Sequence, residues 1–168
     1  MHRHIFVSFI LICSFFLSGC ANNSFESMNR SFLQFTNAVF CQEVASSTIS
    51  LHYTLENPAS YGLENIPISY GTLSSDISQT RASIENYQSA LHSFDFDQLS
   101  FKNQLTYKIL DYYLETSEAG SEYLLYQEPL SPTIGIHAQL PVLLSEFPFY
   151  TADDVETYLK LLNTTDIY

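Results

Sequence analysis

Apolar residues recur at three- and four-residue spacing along most of this chain, and most of its Pro and Gly residues fall between those runs. That period marks one face of an α-helix, not the alternation of a strand. Phe25, Met28, Phe32, Phe35 and Val39 open the first run, and Val44, Ile49 and Leu51 continue it less cleanly. The spacing predicts a helix from about 25 to about 55, with Ser24 suited to its N-cap. Asn57-Pro58 stops it, because Pro lacks the backbone donor and clashes with the preceding turn. Cys41 falls inside this pattern and reads as a small buried hydrophobe.

A loop over 57–71 holds Pro58, Gly62, Pro67 and Gly71. The second helix is expected over 73–93, with Leu73, Ile77, Ile84, Tyr87 and Leu91 on one side. Ser100 can cap a third, over 101–126, whose apolar face is Phe101, Leu105, Ile109 and Tyr112 or Tyr113, with a break or kink at Gly120. Pro129, Pro132, Gly135, Pro141 and Pro148 then punctuate a segment expected to be irregular, and such long loops are often functional. Thr151 caps the last helix, where Asp153 and Asp154 favour the positive end and Val155, Tyr158, Leu159 and Leu162 form the apolar side. The expectation is an all-α fold: a leader followed by about four helices with one long Pro/Gly-punctuated loop.

The leader is the sharpest motif. Met1-His2-Arg3-His4 is basic, Ile5 to Leu17 is apolar save Ser8 and Ser14, and Leu17-Ser18-Gly19-Cys20 follows. A charged start, an apolar middle and small residues before a cleavage point make a secretory signal. The apolar run is shorter than the ~20 residues a membrane span needs. Its ending resembles the lipobox of bacterial lipoproteins, in which the Cys is acylated and becomes the new N-terminus. Residues 1–19 are thus read as signal, Cys20 as the lipidated residue, 20–24 as a tether and 25–168 as the helical part. The implied partner is a membrane, reached through Cys20 on its extracytoplasmic side.

Cleavage takes only Arg3 from the charged residues, so the net charge moves from −12 to −13. That acidity argues against nucleic acid, whose phosphates need Lys and Arg, and suits solubility outside the cell. With Cys13 in the leader and Cys20 acylated, only Cys41 remains, so no internal disulfide forms.

Signs of catalysis are few. His-Glu-x-x-His and Gly-x-Ser-x-Gly are both missing, so the sequence supports neither a two-histidine zinc face nor a serine nucleophile elbow. His52, His92 and His137 are scattered. Asp95 and Asp97 lack the Gly and closing Glu of a calcium loop. Glu115, Glu118 and Glu122 read as a solvated helix side, and the abundant Phe and Tyr at helical spacing read as core.

Three stretches together carry a family resemblance. They are Leu51-His52-Tyr53-Thr54-Leu55-Glu56-Asn57-Pro58 with Tyr61-Gly62-Leu63, Phe94-Asp95-Phe96-Asp97-Gln98-Leu99-Ser100, and Pro129 to Pro141 followed by Phe149 and Asp154-Val155-Glu156-Thr157-Tyr158-Leu159. Their order and spacing resemble the N-terminal portion of the bacterial domain-of-unknown-function 885 family. The resemblance implies a larger helical, zinc-dependent, peptidase-like protein, of which this chain is about the first third. The family's zinc motif and its further Glu ligand lie later in the chain, so no metal ligand and no catalytic residue is carried onto this sequence. The fragment alone is then expected to be inactive and free of zinc. In the parent, zinc would polarise a peptide carbonyl and activate water.

The same resemblance suggests that 129–149 borders a cleft for a peptide substrate, with His137 and Gln139 lining it. The alternative expectation is a complete small helical envelope lipoprotein that acts as a binding or structural module.

Overall fold

The structure is a computed structural model that describes residues 24–72 and 74–165. The leader, Cys20, Leu73 and residues 166–168 lie outside the described residues. Among those described there are six α-helices and no strand, an all-α fold. These are α1 (24–44), α2 (Thr48–Thr54), α3 (Ile77–His92), α4 (Phe101–Ser121), α5 (Ile136–Ser145) and α6 (Ala152–Leu162). The described chain divides into two compact units, 24–36 with Arg81–Ala119, and Asn37–Thr80 with 120–165.

In the first unit, Phe32 and Leu91 are fully buried, joined by Leu99 and Leu114. Met28, Phe35, Ile84, Tyr87, Phe94, Tyr107 and Leu110 pack around them. The Phe32 ring meets Phe94 edge-on at 5.3 Å and lies nearly parallel to Tyr107 at 6.3 Å, geometries favoured by the ring quadrupoles. Phe25, expected on the same face, is 41% exposed. Ser24 is already helical, so it does not act as the cap of α1.

One polar side chain ties this unit together. Asn29 Oδ1 accepts from the Ser100 N–H at 2.7 Å and from Asn103 Nδ2 at 2.8 Å. Its Nδ2 donates to Phe25 O at 2.8 Å and Gln98 O at 3.0 Å. Both donors and both acceptor sites of the amide are thereby used. Ser100 caps α4 as expected, its Oγ accepting from the Asn103 N–H at 3.4 Å.

This clamp corrects the expected face of α4. Phe101, Leu105, Ile109, Tyr112 and Tyr113 are all exposed, Phe101 at 85%. The inward side is Asn103, Tyr107, Leu110 and Leu114. Asn103, held by Asn29, fixes the helix's rotation about its own axis, and residues at i+4, i+7 and i+11 follow it inward. Both stripes have helical period, so polarity alone pointed to the wrong one.

The second unit centres on Tyr70, Phe147 and Leu161, with Ile49, Ile68, Leu140, Leu144 and Tyr158 around them. The single helix expected over 25–55 is two helices. The chain turns at Ala45-Ser46, and Ser47 Oγ caps α2 by accepting from the Ser50 N–H at 3.0 Å. Thr48 and Ser69 pair reciprocally, Thr48 N–H to Ser69 O at 2.8 Å and Ser69 N–H to Thr48 Oγ1 at 2.9 Å. Short polar side chains here compete with the helical backbone for its hydrogen bonds. Likewise α3 begins at Ile77, later than expected, because Asp76 Oδ1 accepts from the Gln79 N–H at 3.0 Å. At its far end α4 stops just past Gly120, and a 3-10 turn covers Leu124–Tyr126.

The expected irregular segment 129–149 contains α5, with Pro141 inside it. Pro141 forfeits one helical bond, but its neighbours Leu140 and Leu144 enter the core, and that burial outweighs the loss. The helix starts at Gly135, where a Cβ would stand 2.4 Å from Ser131 O, so only glycine fits. Around α6, Asp154 Oδ2 accepts from the Thr151 N–H at 2.6 Å and the Tyr150 N–H at 2.8 Å.

Replacing Asn29 with Ala leaves Asn103 and the Ser100 N–H without their acceptor. The expected cost is about 1–3 kcal/mol in chemical denaturation. An unchanged midpoint would show that water replaces the clamp at no cost.

Candidate functional site

Within the second unit a cavity of about 190 Å³ opens between α5, the start of α2 and Tyr70. Ile49, Ile136, Leu140 and Leu143 make apolar walls, while Ser47, Tyr70 and Gln139 supply polar atoms. A cavity of ~150 Å³ is enough to hold a benzene ring, so one bulky apolar side chain fits here. Ile134, 73% exposed, stands at the rim.

Both expected cleft residues lie on α5, and the structure separates them. Gln139 lines the cavity. His137 is exposed and folds back over the helix start, its Cε1 2.9 Å from where a Cβ on Gly135 would stand. Ser47 and Tyr70 went unnoticed in the sequence because they reach the cavity only through the Thr48–Ser69 pairing.

A second hollow is lined by Glu56, Asn57, Pro58, Ala59, Tyr150, Thr151, Asp153 and Asp154. Beside it sits His52, which the sequence left without a partner. The ring is buried, stacks on Phe147 at 3.9 Å between centroids, and has Nε2 on Pro148 O. Its Nδ1 lies 3.9 Å from Asp154 Oδ1, while the other oxygen of that carboxylate holds the start of α6. The arrangement is structural: His52 and Asp154 bind the 147–154 segment to α2.

The remaining candidates also have structural work. His92 Nε2 pairs with Asp111 Oδ1 at 2.7 Å, and Asp95 Oδ1 caps a 3-10 turn by accepting from the Asp97 N–H at 3.1 Å. Glu118 is not simply solvated, since Gln88 Nε2 donates to it at 2.9 Å. Cys41 is half-buried with Sγ 4.0 Å from Tyr61 O. Among the described residues no three His, Cys, Asp or Glu side chains come together as a group that could hold a metal ion. Cys20 lies outside the described residues, and no described helix is long and apolar enough to cross a membrane.

Comparison with protein-family models, curated proteins and solved structures finds no match to this chain.

Two tyrosines have perturbed hydroxyls. Burial, and then the Glu146 carboxylate, raise Tyr53, whose OH donates to Leu143 O at 2.7 Å. Burial, and then Asp111, raise Tyr107. A raised folded pKa favours the neutral phenol in the native state. The stability it contributes is complete below the ordinary value of ~10 and is lost as pH rises through the folded value. Melting temperature is therefore expected to fall above about pH 10, and less so in a Tyr53→Phe/Tyr107→Phe double variant. Equal alkaline loss in both proteins would contradict this.

His52→Ala removes the ring from Phe147 and strands the Pro148 carbonyl, at an expected cost of about 1–3 kcal/mol. His52→Phe keeps the stacking and should recover part of that loss in the same denaturation experiment. No recovery would mean that the Pro148 bond carries the whole effect.

Proposed function

We propose that this chain is an exported lipoprotein, held on the extracytoplasmic face of a membrane by acyl chains on Cys20. Its helical part binds and does not itself catalyse. The observation that carries the proposal is Leu17-Ser18-Gly19-Cys20 at the end of the 13-residue run Ile5 to Leu17, broken only by Ser8 and Ser14, behind a basic start. Acyl chains stabilise membrane attachment by ~0.8 kcal/mol per buried methylene, so a lipidated Cys20 holds firmly without a spanning helix.

The cavity beside Gln139 supports the binding role, because apolar walls with a few polar atoms suit one side chain of a peptide. In the longer peptidase-like protein implied by the family resemblance, this cavity would border the substrate cleft, with zinc held by residues that this chain does not contain. In a complete small envelope module, the same cavity would take a side chain of a partner protein. Gln139 serves either role better than His137, which folds away towards Gly135.

Expression in a bacterium tests the anchor. The native chain is expected in the membrane fraction, with an N-terminal peptide that begins at an acylated Cys20. Cys20→Ala is expected to abolish both acylation and processing after Gly19. A native product of unmodified mass, free of membrane, would end the lipoprotein reading.

A further inference from the structure

The exposed stripe on α4 is unlike a scatter of surface hydrophobics. At ~100° per residue, Phe101, Leu105, Ile109, Tyr112 and Tyr113 share about a third of the helix circumference. Lys102 and Lys108, the only cations of α4, are exposed; Lys108 borders the stripe beside Phe101, and Lys102 stands within it between Ile109 and Tyr113. Among the three carboxylates of the helix, Glu115 stands next to Lys108, while Asp111 and Glu118 lie further round, away from the stripe. Of these, Asp111 pairs with His92 at 2.7 Å and Glu118 with Gln88 at 2.9 Å, both on α3. The helix thus has an inward side, a side turned towards α3 that carries Asp111 and Glu118, and an apolar side that carries Lys102 and is edged by Lys108.

We infer that this apolar side lies on the bilayer surface that holds the acyl chains of Cys20, an inference that rests on the lipoprotein reading above. An apolar stripe that carries long lysines is the pattern of a helix lying in a membrane interface, where the rings enter the acyl boundary and the ammonium groups reach out to the headgroup phosphates. The charges favour this occupant: both cations of α4 lie on or beside the stripe, while Asp111 and Glu118 face α3, in an otherwise acidic protein.

Position selects it as well. The Asn29 clamp binds Ser100 and Asn103, at the start of α4, to the first turns of α1. Residue 24, where the described part of α1 begins, is four residues from Cys20. Four residues span at most ~14 Å, so an acylated Cys20 keeps this end of the unit close to the bilayer. Phe101 and Phe25, both exposed, lie at that end.

The chain contains no Trp, so single Trp residues report their own depth. The full lipidated chain, carrying Phe101→Trp, Leu105→Trp, Ile109→Trp or Glu118→Trp in turn, is reconstituted into phosphatidylcholine vesicles. These contain a minor share of phosphatidylglycerol and brominated acyl chains. Circular dichroism and vesicle flotation accompany each fluorescence reading. Quenching by more than about half is expected at the three stripe positions, with Glu118→Trp, on the side turned towards α3, affected far less.

Vesicle-bound protein with unquenched stripe positions overturns the inference while the anchor stands. Red-shifted emission would then mean open solvent, and blue-shifted emission would mean that a second copy or another polypeptide covers the stripe. Protein that carries no acyl group and fails to float overturns the inference and the lipoprotein reading together.

Discussion

The first unit turns on a single amide. Asn29 stands one turn before the fully buried Phe32 and spends all four of its hydrogen-bonding sites within the protein. Without it, the Ser100 N–H ahead of α4 and the buried Asn103 side chain would have to find water at a packed junction. With it, α4 is held in one rotational setting, and that setting decides which of two apolar stripes forms the core. Tyr107, Leu110 and Leu114 go inward, and the stripe richer in large apolar residues is left outside. A polar group thereby specifies what hydrophobicity alone leaves ambiguous.

The second unit is organised by backbone satisfaction instead. Ser47, Thr48 and Ser69 absorb the groups freed where α1 gives way to α2, and Asp154 does the same ahead of α6. His52 then joins α2 to the 147–154 segment through Phe147, Pro148 and Asp154. These local ties place α5 against Leu161 and Phe147, and the cavity beside Gln139 is the space left between that helix and Tyr70. The binding surface is a by-product of how the polar groups are satisfied.

The all-α class was legible because long periodic runs identify helices whatever their neighbours. Ser100 as a cap and α6 behind Thr151 were also legible, since capping residues act locally. The break in α1 was hidden because Thr48, which follows it, finds its partner in Ser69, more than twenty residues away. Pro141 suggested a loop, but the burial of Leu140 and Leu144 overrides its local cost. At the candidate site, Gln139 could be named from its segment, whereas Tyr70 enters through a contact with no sequence signature. The role of Asn29 was invisible for the same reason, as its partners lie about seventy residues away.

The clamp on α4 also gives the exposed stripe a definite outlook, so the account of the surface depends on it. Native-state hydrogen exchange at the Ser100 amide tests it most directly, because that N–H is donated to Asn29 at 2.7 Å and lies before the first helical residue of α4. Protection close to that of the Leu114 amide in mid-helix is the expected result, because both should open only with the whole unit. Exchange as fast as that of an open loop would mean that Asn29 does not hold α4, and the orientation of its apolar stripe would lose its physical basis.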